Sequence, residues 1–181
     1  MNVTRTLSAV AGLAAVLAMP VAVRADEVTL TDAKNAVAAI KAADAGQEKF
    51  FDHAAGYAIF PNVAKGGLVV GGAGGSGFLF VHGKAVGKTT LSQVTIGAQI
   101  GGQAYYEIIF FENETALNAF KKGEWTMAAQ VSAVALSSGA SANAKYKDGV
   151  AVFTLTKGGA MAEASVGGQK FSYEPLGAKK K

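Results

Sequence analysis

Two glycine-rich segments have the spacing closest to that of a nucleotide-binding motif. Residues 83–89 read GKAVGKT, with three residues between the glycines where a phosphate-binding loop has four. Residues 72–77 read GAGGSG and match G-x-G-x-x-G, but the FLFV run of residues 78–81 is strand-like where a dinucleotide fold needs a helix. Neither segment is expected to direct a helix N-terminus at a phosphate. We expect residues 72–77 to form a turn or bulge.

Nucleophilic and metal-dependent chemistry have little support in the sequence. The chain has no cysteine, and Ser76 is not in a G-x-S-x-G elbow because position 78 is Phe. The histidines, His53 and His82, are far apart in sequence and have no acidic cluster beside them, which makes a poor zinc site. The sequence therefore predicts no catalytic residue, metal or cofactor, and we expect a protein that is not an enzyme.

The N-terminus has the pattern of a secretory signal. Arg5 precedes an uncharged apolar run at residues 7–19, Pro20 follows, and residues 23–25 read VRA. The apolar run is shorter than the roughly 20 residues that cross a bilayer. We predict a cleavable signal peptide at residues 1–25 and an exported protein, periplasmic or extracellular. An N-terminal core helix and an uncleaved anchor are the alternatives.

Removal of this segment changes the charge of the chain. Both arginines, Arg5 and Arg24, lie in it, so the formal charge falls from +4 to +2. The lysines at residues 179–181 more than account for that excess, so the body is close to neutral. Arginine is the residue best suited to bidentate phosphate recognition, and its absence weakens a nucleic-acid-binding interpretation. We expect no nucleic-acid partner.

Length and composition indicate one mature domain. Residues 26–176 are of single-domain size, and residues 177–181 form a short basic tail. Half of the residues in the chain are hydrophobic, which allows a core without disulfide bonds. The tail is expected to be solvated, although it could also contact an anionic membrane surface.

The first part of this domain predicts a helix. Thr29 or Thr31 can cap a helix that begins near Asp32, where an acid suits the positive end of the helix dipole. Gly46 is expected to end it. Its apolar residues have helical spacing: Ala33, Ala36, Val37 and Ile40.

Two shorter helices are also predicted. Residues 47–55 fit a helix with Phe50 and Phe51 as its large apolar groups. A later helix is capped by Asn113 and ended by Gly123. The apolar residues of the later helix are Ala116, Leu117 and Phe120.

Glycine and β-branched residues dominate from Tyr57 onward and predict strands. Pro61 is expected to stop the first strand, and Asp148-Gly149 is a hairpin-turn sequence. Residues 108–111 are apolar on both faces, which favours a central position in the sheet. The predicted strands are residues 57–60, 67–71, 78–82, 92–100, 104–111, 126–136, 140–146, 150–156, 160–166 and 169–173. The predicted class is α+β, with N-terminal helices packed on a strongly curved antiparallel sheet or barrel and one inserted helix.

Ordered glycine-bearing blocks in the chain resemble those of the SYLF domain family. These blocks include residues 55–61, 65–67, 69–77, 97–103, 116–120, 157–159 and 164–167. The resemblance extends over residues 31–173. The motif positions are Gly66, Gly67, Gly71, Gly72, Gly74, Gly77, Gly97, Gln99, Gly101, Gln103, Gly158 and Gly167.

The resemblance implies a non-enzymatic domain that binds phospholipids, in which a basic N-terminal helix contributes to binding. The corresponding helix here contains Lys34 and Lys41. We expect Phe50, Phe51 and the segment 66–80 to contact lipid, and Lys34, Lys41 and Lys65 to meet anionic headgroups.

The sequence thus leads to one main functional hypothesis and one alternative. The main hypothesis is a phospholipid-binding module of a bacterial cell envelope, whose partner is phospholipid or an anionic membrane surface. The alternative is a structural or self-associating envelope protein, in which the glycine blocks pack copies of the chain into a homo-oligomer.

Overall fold

A computed structural model describes residues 27–67, 70–96, 102–123, 133–157, 166 and 168–177. The helices are α1 (Leu30–Ala43), α2 (Glu48–His53) and α3 (Glu114–Lys121), with a 3₁₀ turn at Ala45–Gln47. The strands are β1 (Gly56–Gly67), β2 (Val70–Val81), β3 (Lys84–Ile96), β4 (Gln103–Phe111), β5 (Val134–Ala135), β6 (Val150–Thr156) and β7 (Lys170–Pro175). The α+β class is confirmed. The predicted signal peptide lies outside the described residues.

The described strands form one open, mixed sheet. Their order is β5-β6-β4-β1-β2-β3-β7, so β5 and β7 are the edges. Every pairing is antiparallel except that of β5 with β6, which is parallel. The expectation of a purely antiparallel sheet is therefore wrong at β5, and the closed barrel is not confirmed. Among the residues described, none of the helices is long and apolar enough to cross a membrane.

Helix α1 begins at the predicted cap. The Thr29 hydroxyl accepts from the Asp32 backbone N–H at 3.1 Å, and the Asp32 carboxylate accepts from the Thr29 N–H at 2.9 Å. This capping box satisfies two of the N–H groups that a helix start leaves unpaired. Ala33, Ala36 and Ile40 face the sheet and are fully buried. The small alanine side chains let α1 lie close to the strands.

The sequence predicted that the first strand would stop at Pro61. This prediction is wrong, because β1 continues to Gly67. Its register shifts between Ile59 and Asn62 against β2, and between Phe60 and Val63 against β4. Proline cannot donate a ladder hydrogen bond, and an irregularity at this point accommodates it inside a central strand.

The glycine run at residues 72–77 is also not a turn. These residues lie in the middle of β2 and pair with β1 on one side and β3 on the other. A methyl group built on Gly75 would lie 2.7 Å from the Asn62 carbonyl oxygen, and one on Gly77 would overlap the Ile59 carbonyl. The glycines therefore permit close approach of β2 to the irregular part of β1.

Two turns of two residues each have positive φ values at both residues. Asp148 and Gly149 have φ values of 52° and 79°, and Lys147 and Val150 exchange backbone hydrogen bonds of 2.8 and 3.0 Å around them. This turn is confirmed. His82 and Gly83 have φ values of 47° and 74° and form the two-residue turn that connects β2 to β3.

The remaining predicted strands and helices agree with the structure in some segments and not in others. The predicted strands at residues 104–111, 150–156 and 169–173 correspond to β4, β6 and β7, and the predicted helix after Asn113 corresponds to α3. The strand predicted at residues 140–146 is wrong, because residues 138–143 form consecutive turns. The predictions at 97–100, 126–132 and 160–165 fall outside the described residues.

The sheet separates two hydrophobic clusters. One contains residues of α1 and α2 with β-strand residues such as Ile59 and Phe153, and we call this side the helix face. The other contains Leu117 and Phe120 of α3 with residues such as Phe60, and we call it the α3 face. Each face is sealed by a different part of the chain, so the two can differ in chemistry.

Candidate functional site

The lysines predicted to bind headgroups lie on opposite faces of the sheet. Lys34 is exposed on α1, and the Lys41 ammonium lies 3.2 Å from the Glu48 carboxylate. Lys65 is a half-buried residue of β1 and pairs across the ladder with Ala73, which belongs to the α3-face cluster. Cross-strand partners share a face, so Lys65 points away from α1. The structure brings Lys34 and Lys41 to one helix but does not add Lys65 to them.

The two adjacent phenylalanines of α2 have different environments. Phe50 is 3% exposed, and its ring centroid lies 5.4 Å from Phe110 and 4.8 Å from Phe153. Phe51 is half-buried and meets Tyr57 and Phe110 edge to face. Phe50 therefore anchors α2 on the sheet, and Phe51 retains an accessible surface. The lipid-contact role of both remains a prediction.

The glycine motif positions that are described lie in strands. They are Gly66, Gly67, Gly71, Gly72, Gly74, Gly77 and Gln103. Gly66 pairs with Gly72, and a methyl group on Gly72 would lie 3.0 Å from the Gln93 carbonyl oxygen. Gly72 therefore permits close strand pairing, whereas a methyl group on Gly66 would meet nothing within 4 Å. The remaining motif positions, Gly97, Gln99, Gly101, Gly158 and Gly167, lie outside the described residues.

Three lysine ammonium groups lie over aromatic rings on the helix face. Lys41 Nζ is 4.6 Å from the Phe51 ring centroid, Lys49 Nζ is 5.0 Å from that of Phe50, and Lys157 Nζ is 4.6 Å from that of Tyr106. A cation over a ring face is attracted by the ring quadrupole while its alkyl stem covers apolar surface. These contacts hold positive charge at the edge of the helix-face cluster.

An open groove lies beside α2 and has a volume of about 500 Å³. We call it the α2 groove. The residues that line it come from α2, from the end of β4 and from the segment before β6: Lys49, Phe50, His53, Glu112, Ala144, Lys145 and Tyr146. Its volume is in the range of small-molecule sites, roughly 300–1,000 Å³.

Two basic residues of the groove are oriented by backbone carbonyls. Lys49 Nζ donates to the Ala142 carbonyl at 3.0 Å, which uses one of its three protons. His53 Nδ1 lies 2.7 Å from the Lys49 carbonyl oxygen, a geometry that requires the proton on Nδ1. The Nζ protons that remain on Lys49 and the Nε2 atom of His53 are available to a ligand.

Tyr146 forms an aromatic wall of the groove. Its ring meets Phe50 edge to face with centroids 5.4 Å apart, and its buried hydroxyl has no hydrogen-bond partner within the described residues. Burial, and then the charge of Glu112, raise the pKa of Tyr146 to about 12. The hydroxyl is therefore a stable donor at neutral pH.

The segment that carries Tyr146 is fixed to α1 through a buried carboxylate. Asp44 caps the end of α1, and its side chain accepts from the Ser141 N–H and hydroxyl at 2.7 Å each, from Gly46 N–H at 3.0 Å and from Gly139 N–H at 3.3 Å. The pKa of Asp44 is lowered, and the hydrogen bond from the Ser141 hydroxyl is the largest cause. This cluster positions one side of the α2 groove.

The α3 face contains a second buried carboxylate with few partners. Glu107 is fully buried and accepts from Gln169 Nε2 at 3.0 Å. Burial raises the pKa of Glu107 to about 8, against the lowering effect of that hydrogen bond. Buried polar atoms that lack a partner within the described residues on this face include Glu107 Oε1, Gln169 Oε1, Tyr105 Oη and Thr154 Oγ1.

The two glycine-rich segments that resemble nucleotide-binding motifs do not form phosphate-binding sites. Residues 84–89 belong to β3, and residues 72–77 continue as β2, so neither leads into a helix. His82 is exposed in the β2–β3 turn. The described part of the chain contains no group of three potential metal ligands.

Sequence reasoning missed most of the groove. It identified Phe50, but it read residues 140–146 as a strand and assigned no role to Lys49, Lys145 or Tyr146. A local signal existed in residues 137–143, SSGASAN, because small and polar residues of this kind favour turns. No local signal showed that this segment would lie against α2.

Comparison with known proteins identifies a related family. Residues 92–175 match the family described as Ysc84, a Las17-binding protein and actin regulator. The chain is also similar to Beta cell expansion factor A of Aeromonas veronii, with 31% identity over 124 residues. This match covers 67% of the chain and 46% of the relative, so the chain spans less than half the length of that protein. The family match at residues 92–175 begins within β3 and ends with β7.

Proposed function

Residues 92–175 of the chain belong to the Ysc84 (SYLF) family, and on this premise we propose that the protein is a phospholipid-binding module of a bacterial cell envelope. The proposal includes export directed by residues 1–25 and a non-enzymatic role. It places lipid contact on the helix face. It does not include the actin and Las17 interactions that the family description names.

The observation that carries this proposal is the set of lysines over aromatic rings on the helix face. Lys41, Lys49 and Lys157 hold ammonium groups 4.6 to 5.0 Å from the ring centroids of Phe51, Phe50 and Tyr106. This arrangement places positive charge next to apolar surface. It complements a phospholipid interface, in which anionic phosphate lies next to the apolar acyl chains. Each lysine near an anionic surface contributes about 1 kcal/mol.

Acidic residues on this face moderate the attraction. Lys41 is paired with Glu48, and Asp32, Asp52 and Glu112 are exposed. The net charge is small, so attraction is expected to act at short range, between these lysines and the anionic headgroups that they contact, where salt still weakens it. We expect Lys34 to assist from α1 and Lys65, on the opposite face, to contribute little.

Liposome flotation tests the proposal. The full chain is expressed in a bacterium, purified after export and mixed with vesicles of phosphatidylethanolamine and phosphatidylglycerol. We expect it to float with these vesicles at low salt and to be released as salt shortens the screening length to about 3 Å near 1 M. Protein that stays at the bottom of the gradient at low salt would exclude lipid binding.

The same preparation tests export and the alternative function. Intact mass measurement is expected to give a chain that begins at Asp26. Sedimentation velocity over a range of concentrations then tests the self-association hypothesis. A concentration-dependent oligomer that retains no lipid would favour the structural envelope role over lipid binding.

A further inference from the structure

The α2 groove combines groups of both charge signs at one opening. Lys49 and Lys145 are exposed cations, Glu112 is an exposed carboxylate, and Phe50 and Tyr146 provide aromatic surface. The geometry points to a headgroup that carries both a phosphate and a primary ammonium, so we propose that this groove binds an aminophospholipid such as phosphatidylethanolamine. The inference rests on the proposed lipid-binding function and assigns its site and headgroup class.

The phosphate of such a headgroup fits the lysines. Lys49 Nζ is held by the Ala142 carbonyl at 3.0 Å and by the Phe50 ring, so little side-chain freedom remains to be lost on binding. Two of its protons are left for phosphate oxygens. Lys145 lies in the segment that Asp44 fixes through Ser141, which gives the second cation a defined backbone position.

The ammonium fits the acidic side of the groove. Glu112 directly follows β4 and lines the groove together with Tyr146, and after burial its charge is the second cause that raises the pKa of that tyrosine. A primary ammonium donates to a carboxylate and also interacts with an aromatic face.

Other common headgroups match the groove less well. A glycerol headgroup would engage Lys49 and Lys145 but leave Glu112 without a positive partner. A choline headgroup has no N–H donor for that carboxylate. The contrast between headgroups therefore depends on Glu112, whereas overall affinity depends on the lysines.

Titration with soluble short-chain lipids tests this assignment on the full chain. Dihexanoyl phosphatidylethanolamine, phosphatidylglycerol and phosphatidylcholine are added below their micelle concentrations, and the dissociation constants are measured by calorimetry. The test variants are Glu112→Gln and Lys145→Gln. The matched controls are Glu114→Gln and Lys84→Gln, which change exposed residues outside the groove.

We expect the unmodified protein to bind phosphatidylethanolamine most tightly. Glu112→Gln should weaken binding of that lipid by roughly twofold to fivefold and leave binding of phosphatidylglycerol unchanged or tighter, because it removes one charge-assisted hydrogen bond to an exposed carboxylate. Lys145→Gln should weaken both lipids, and the controls neither. Backbone amide shifts on lipid addition should cluster at residues 49–53 and 144–147, which tests the site without any variant.

The outcomes separate this inference from the function on which it rests. If the protein floats with vesicles but Glu112→Gln leaves the headgroup preference intact, or the amide shifts lie elsewhere, the groove assignment is wrong and lipid binding stands. If the protein neither floats nor binds the short-chain lipids, both are wrong.

Discussion

Among the residues that the structure describes, each side of the sheet contains one buried carboxylate, and the environments of the two are opposite. Asp44, on the helix face, accepts four hydrogen bonds from residues 46, 139 and 141, and its pKa is lowered. Glu107, on the α3 face, accepts one hydrogen bond from Gln169, and its pKa is raised to about 8. Burial disfavours the ionised form of both, so the number of donors decides the direction.

The two faces of the sheet differ in how fully hydrogen bonds satisfy the buried carboxylate. On the helix face the buried charge is satisfied, and it holds the segment that forms one wall of the α2 groove. On the α3 face the buried carboxylate is only partly satisfied, because Glu107 Oε1 has no partner among the described residues. The helix face can therefore hold a preorganised site, whereas the α3 face bears the free-energy cost of burying a carboxylate that accepts one hydrogen bond.

Removal of the Asp44 carboxylate should have the largest effect on stability. Asp44→Ala leaves the Ser141 N–H and hydroxyl buried without an acceptor, and each unsatisfied group costs about 1–3 kcal/mol. We expect a loss of about 3 kcal/mol in the free energy of unfolding, measured by urea denaturation. Asp52→Ala, an exposed change on α2, is the control and should cost less than about 0.5 kcal/mol.

Glycine substitutions in β1 and β2 should separate close approach from open space. Gly77→Ala places a methyl group against the Ile59 carbonyl, and we expect a loss of about 2 kcal/mol. Gly66→Ala meets nothing within 4 Å and should change stability by less than about 0.5 kcal/mol. Equal losses in urea denaturation would show that backbone freedom, rather than the approach of β2 to β1, explains the glycines.

The pH dependence of stability should show the two carboxylates separately. The folded pKa of Glu107 is above its unfolded value near 4.5, so its destabilisation develops as pH rises from about 4.5 to 8. The folded pKa of Asp44 is below its unfolded value near 3.8, so its stabilisation is lost as pH falls below that value. The unmodified protein should therefore be most stable near pH 5.

Glu107→Gln tests the alkaline part of that profile. The amide cannot ionise, so the variant should lose the decline in stability between about pH 5 and 8 and be the more stable of the two proteins at pH 8.5. Denaturant curves at pH 5, 6, 7 and 8.5 measure the difference. If both proteins decline in parallel, Glu107 is not the group responsible.

Local signals predicted the elements whose formation depends on adjacent residues. The Thr29 cap, the Asp148-Gly149 turn and strands β4 and β6 each follow from a short stretch of sequence. The run at residues 72–77 was misread, because glycine is a breaker by propensity and only the strands on either side of it make it a strand. Tertiary context overrides propensity there.

The site was harder to predict than the fold, because its contacts connect distant positions. Asp44 and Ser141 are 97 residues apart, and Glu107 and Gln169 are 62 apart. Nothing near Asp44 shows that it will become buried, since an acid at the end of a helix is ordinarily solvated. Lys65 was grouped with Lys34 by charge alone, and the alternation of β1 places it on the other face.

Flotation of two charge-matched double variants tests most directly the claim that the helix face binds lipid. Lys49→Gln/Lys145→Gln removes two cations from the α2 groove, and Lys65→Gln/Lys121→Gln removes two from the opposite face. At about 1 kcal/mol per lysine, the first should weaken binding to phosphatidylethanolamine and phosphatidylglycerol vesicles by at least about tenfold. The second should bind as the unmodified protein does. Equal weakening in both would contradict lipid contact through the helix face.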